Sequence, residues 1–157
     1  MIYLTFKLLH ILSATVLFGT GLGTAFYKWQ ADRSGDIAGI SRANQIVVLA
    51  DWVFTTPAMI IQPLTGLYMI HIAGIPLNTH WVAGAFVLYG IAGACWIPVV
   101  WLQLKMKEQS SLAHSAGTAL PHRYTRYARI WFWLGIPAFI AMVMIFVLMV
   151  FKPSQLL

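Results

Sequence analysis

The chain has 157 residues, of which 60% are hydrophobic and only 9% charged; soluble domains carry roughly 45–50% and about 25%. So few charges could not cover a soluble surface, which excludes a disordered chain, a coiled coil, a disulfide scaffold and a cytosolic enzyme, and leaves an integral membrane protein. The net charge of +6 does not point to nucleic acid, because of where the charges sit.

Four apolar runs follow one another. The first spans about Ile2 to Tyr27. It has no basic segment before it and is too long for a signal peptide's apolar stretch, so a retained helix is expected. The others cover about Ala43 to Ile72, His80 to Leu104 and Tyr127 to Phe151. Each exceeds the ~20 residues that cross a bilayer. The predicted fold is therefore all-α, a single transmembrane four-helix bundle. Pro57 and Pro63 predict a kink in the second span.

The connections are Lys28 to Arg42, Ala73 to Thr79 and Lys105 to Arg126. Eight of the ten Lys and Arg residues fall in the first and third: Lys28, Arg33, Arg42, Lys105, Lys107, Arg123, Arg126 and Arg129. By the positive-inside rule these loops face the cytoplasm and both termini face outward, the periplasm in a bacterial inner membrane. The basic loops suit anionic lipid headgroups. Trp29, Trp52, Trp81, Trp101 and Trp131 lie near span ends, as an aromatic belt would place them.

Gly19 and Gly23 form a G-x-x-x-G in span one, with Gly21 between them. Such a surface permits close helix packing, inside the bundle or in a homodimer, or leaves room for a flat ligand. The stripe His10, Ala14, Leu17, Gly21 shares one helical face.

Ionisable residues inside spans are expensive and mark functional candidates. His10, His71 and His80 all fall in the outer half of the bundle on this topology. Paired imidazoles on facing helices can hold a haem iron, and neutral imidazole also suits copper or zinc. The bland alternatives are an interfacial His80, a helix-capping His71, and a His10 hydrogen-bonded to a neighbouring helix. Asp51, near the other membrane face, is expected to pair with Arg126 or Arg129. Cys95 is the only cysteine, so disulfides and cysteine metal sites are excluded. P-loop, dinucleotide-binding, H-E-x-x-H and G-x-S-x-G motifs are absent.

Several stretches resemble a known superfamily: Lys7-Leu8-Leu9-His10, Thr56-Pro57-Ala58-Met59 with Gly66-Leu67, Tyr124-Thr125-Arg126-Tyr127, Trp131-Phe132, Pro137 and Lys152-Pro153. In this order they resemble the HemJ-type protoporphyrinogen oxidases, bacterial membrane proteins that bind haem b, and more distantly the copper-resistance D membrane domains. From Met1 to Pro153 the chain also resembles a family of bacterial predicted integral membrane proteins with no settled activity. The HemJ likeness implies that His10 is a haem-linked position and that Lys7 edges that site. It departs at span three, where His80-Trp81 is followed by no lysine before Lys105, so the oxidase chemistry can be lost while the cofactor is kept. His71 has no counterpart there and would be this branch's own second ligand.

Three functions follow as expectations. The first is a haem b protein, with His10 and His71 as iron ligands and Lys7 and His80 nearby, exchanging electrons with a quinone or a protein partner. The second is a HemJ-like tetrapyrrole oxidase. The third is a cofactor-free scaffold or transporter-like subunit, or one binding copper or zinc.

Overall fold

The computed structural model describes residues 1–153. It contains four long helices: α1 (Ile2–Ser34), α2 (Ile37–Ile72), α3 (His80–Ala116) and α4 (His122–Phe151). Their best membrane windows have mean hydropathies of 1.6, 1.4, 1.9 and 2.7. Lipid-facing side chains such as Leu4, Leu49, Leu64, Val87 and Val150 stand on the outside. Several polar residues are buried instead, among them Lys28, Asn44, Asp51, Gln62 and Gln103. Apolar exterior and polar interior together are what a bilayer demands of a bundle.

The helices run well past the apolar spans. The first connection is only Gly35 and Asp36, and the third only residues 117–121. The polar stretches 28–34 and 105–116, expected as loops, contain no helix breaker until Gly35 and Gly117. Those two glycines take left-handed φ values of 72° and 63° and close the helices. Asp36 then caps α2, its carboxylate accepting from the backbone N–H of Ala38 and Gly39 at 3.1 and 2.9 Å. With 37 residues, α3 is about 55 Å long at ~1.5 Å per residue, against a hydrocarbon core of ~30 Å.

The extra turns bury their polar groups on one another. Lys28 is fully buried and pairs with Asp32 at 2.7 Å. Tyr124 Oη donates to Asp32 at 2.6 Å, and accepts from Asn44 Nδ2 at 2.8 Å and from Lys28 Nζ at 3.2 Å. Asn44 also donates to Ser110 Oγ at 3.2 Å. These five residues come from all four helices. Lys28, read from the sequence as a loop cation, is thus a core residue.

The π turn Asp51–Thr55 interrupts α2. Pro57 explains it: its ring lacks an N–H and would clash with the Val53 carbonyl of a regular helix, so the backbone widens just before it. Pro63 lies in the same helix without interrupting it. α1 runs along α2, the first part of α2 packs on α3, and α3 with α4 forms the closest pair. α1 and α4 meet through large side chains, with the Phe18 ring 5.1 Å from Phe139 and 5.5 Å from Phe146.

Two further expectations change. A Cβ added to Gly19, Gly21 or Gly23 would meet nothing within 4 Å, so the G-x-x-x-G is no packing seam inside the bundle. Trp29, Trp52 and Trp101 face outward, but Trp81 and Trp131 are buried and do not belong to a belt.

Candidate functional site

His10 sits on α1, half-buried, at the α2 seam. Its Nδ1 lies 2.8 Å from Thr65 Oγ1. The Thr65 hydroxyl proton is already committed, because Oγ1 donates to the Ile61 carbonyl at 2.7 Å. Oγ1 can then only accept, so Nδ1 carries the ring proton and Nε2 keeps its lone pair. No hydrogen bond reaches Nε2 from the described residues. This is how outer partners prepare a histidine to bind a metal.

The seam is locked in two other ways. Gln62 Nε2 donates to the His10 carbonyl at 3.0 Å. Gly66 lies against the imidazole: a Cβ there would come within 3.3 Å of His10 Cε1. Gly66 is therefore required by close approach and not by backbone conformation. Replacing Thr65 by valine, which matches its shape, leaves Nδ1–H without an acceptor. It is expected to cost about 1–3 kcal/mol, read as a lowered melting temperature in detergent, and to leave the tautomer unfixed in the imidazole 15N spectrum.

His10 opens onto a cavity of about 490 Å³ between the outer halves of all four helices. That is within the roughly 300–1,000 Å³ of small-molecule and cofactor sites. Its walls are mostly apolar, including Ala14, Ala85, Phe86 and Ile145. Tyr89, whose hydroxyl donates to the Met59 carbonyl of α2, also lines it. Two lysines border it, Lys7 from α1 and Lys152 from the end of α4. Lys152 Nζ lies 5.5 Å over the Trp81 ring.

The other predicted ligands are not brought there. His71 and His80 are exposed and line neither this cavity nor the one near Asp51. Helical spacing explains it. On α2 the cavity-lining positions are Gln62, Pro63, Gly66, Met69 and Ile70, and His71 points about 100° further round. On α3 they include Trp81, Val82, Ala85 and Tyr89, which leaves His80 outside. Among the described residues no cluster of three or more His, Cys, Asp or Glu could hold a metal ion. Any metal bound here would rely on His10 and on softer or external ligands. Three methionines, Met69, Met142 and Met149, line the cavity.

Sequence reasoning missed Gln62, Thr65, Tyr89 and Lys152. The first two carried a legible signal: polar residues three apart in an apolar span, beside a glycine. Asp51 does not pair with Arg126 or Arg129, which are exposed. It lies on the π turn, accepts at Oδ1 from Thr55 Oγ1 at 2.9 Å, and its buried Oδ2 has no partner among the described residues.

The fold and these cavities define a multi-pass helical membrane protein with internal, ligand-sized space. The chain belongs to the predicted integral membrane protein family DUF2269, whose model matches residues 4–153. No curated protein and no solved structure matches it.

Proposed function

We propose that this is a haem b-binding membrane protein that transfers electrons, with His10 Nε2 as an axial iron ligand in the outer cavity. The observation that carries the reading is the His10–Thr65 pair, which leaves an unprotonated nitrogen at a cofactor-sized apolar cavity. Neither comparison connects the chain to the HemJ-type oxidases or the copper-resistance D domains, so the haem reading rests on the cavity.

The residues fit the group. Apolar walls suit the macrocycle, and Lys7 and Lys152 suit its two carboxylates. A methionine on the opposite wall would supply a sixth ligand that raises the potential. When bound, the haem supplies one-electron chemistry; the chain's part is to orient His10, exclude water and balance the carboxylates. The test is the absorption spectrum of protein purified in detergent after expression with haem supply. A Soret band is expected, and colourless, metal-free protein overturns the reading.

The same proposal places both termini outward, with Gly35–Asp36 and residues 117–121 on the cytoplasmic side. The basic balance of those ends supports it. In a Cys95→Ala background, Ser34→Cys and Ser115→Cys are expected to resist an impermeant maleimide on intact spheroplasts and to react once the membrane is opened. Reaction before opening would reverse the orientation.

A further inference from the structure

A second cavity, of about 330 Å³, lies further along the bundle toward the helix ends tied by Lys28. We infer that it binds the ring of a lipid-soluble quinol. Three buried polar atoms belong to residues that line it and have no hydrogen-bond partner among the described residues: Asp51 Oδ2, Trp96 Nε1 and Trp131 Nε1. Asp51 is 6% exposed and Trp131 8%. Polar groups buried without partners are costly and uncommon in native structures. Three around one cavity call for a ligand that answers them.

Their chemistry narrows the ligand. The two indole N–H groups can only donate, and an ionised carboxylate oxygen can only accept. A phenolic hydroxyl does both: its oxygen accepts from an indole and its proton goes to Asp51. A quinone carbonyl answers the indoles but not the carboxylate, so the reduced form is favoured. The walls match a flat aromatic ring, with Phe18, Phe132 and Phe139 among them. The cavity also borders lipid: Leu22, Phe132 and Ile140 line it and stand 49%, 46% and 56% exposed. A hydrophobic ring reaches it from the bilayer without crossing water.

The polar groups are held in place. Thr55 fixes the Asp51 carboxylate through Oδ1, and Lys28 Nζ sits 5.3 Å from the Trp131 ring centroid. Met142 lines both cavities, so a ring bound here is about one side chain from the proposed haem. The inference rests on the electron-transfer reading for its purpose, but binding does not require haem.

The test uses the full chain in nanodiscs, titrated calorimetrically with decylubiquinol and with decylubiquinone against empty nanodiscs. Saturable binding is expected, tighter for the quinol. Trp96→Phe and Trp131→Phe should each weaken it about ten-fold, the scale of one lost hydrogen bond. Asp51→Asn should narrow the difference between quinol and quinone. Gly21→Leu should abolish binding by filling the cavity; a Cβ there meets nothing within 4 Å, so the variant is expected to fold, checked by its melting curve and by retention of the wild-type absorption spectrum. Wild-type protein without saturable binding, its cavity holding water only, overturns the inference. So does binding that survives Gly21→Leu or that neither indole substitution weakens. Colourless protein that binds quinol overturns the haem reading and leaves this one standing; coloured protein indifferent to quinol does the reverse.

Discussion

His10→Ala is expected to yield folded, colourless protein from cells in which the wild type shows a Soret band. The side chain leaves a gap at the α1–α2 seam, but the Gln62 bond to the residue-10 carbonyl survives because it uses backbone. Folding should therefore persist while the only imidazole lining the cavity is lost. His71→Ala and His80→Ala are expected to keep the wild-type spectrum, because both residues are exposed and line neither cavity. That contrast is the discriminating measurement. An unaltered spectrum in His10→Ala would move the site elsewhere, and loss of colour in His71→Ala would restore the paired-histidine arrangement that the sequence suggested.

Asp32→Ala is expected to be the most destabilising single change in the bundle. It removes the counter-charge of an ammonium that is 0% exposed and the acceptor of the Tyr124 hydroxyl. Breaking a buried pair by deleting one member costs about 3–5 kcal/mol. The double variant Lys28→Met/Asp32→Ala should recover much of the loss, since an apolar replacement of both charges leaves no uncompensated ion. Thermal unfolding in detergent of the two single variants and the double completes the cycle. A double variant less stable than Asp32→Ala alone would show that Lys28 stabilises the fold by other means, such as its position over the rings of Tyr124 and Trp131.

The four spans were legible because long apolar runs have few other uses. Their ends were not. Residues such as Gln30, Lys107 and Glu108 continue a helix as readily as a loop, and composition cannot tell which. The Lys28–Asp32 pair had a visible signature, opposite charges four apart, but loop placement by the positive-inside rule masked it. His10 was legible as a deep imidazole on a small-residue stripe. Its partner Thr65 was not, because threonines are common in membrane helices and only the packed seam shows which one answers the ring. Asp51 was recognised as anomalous but given the wrong partner. Depth along the axis was right, whereas rotation about the helix, altered by the π turn, was unavailable to spacing arguments. Rotation also explains His71: the stripe through Gln62, Gly66 and Met69 excludes it.

The five-residue polar knot ties all four helices at one end only. At the other end the helices are separated by a cavity and joined mainly by the seam around His10 and by the bond from Tyr89 to Met59. The bundle is built like a sheaf bound near its base. Small splaying motions of the free end would widen the cavity without disturbing the charges, so a bulky rigid guest could be loaded after the chain is already inserted and folded, with the binding end acting as the fixed pivot.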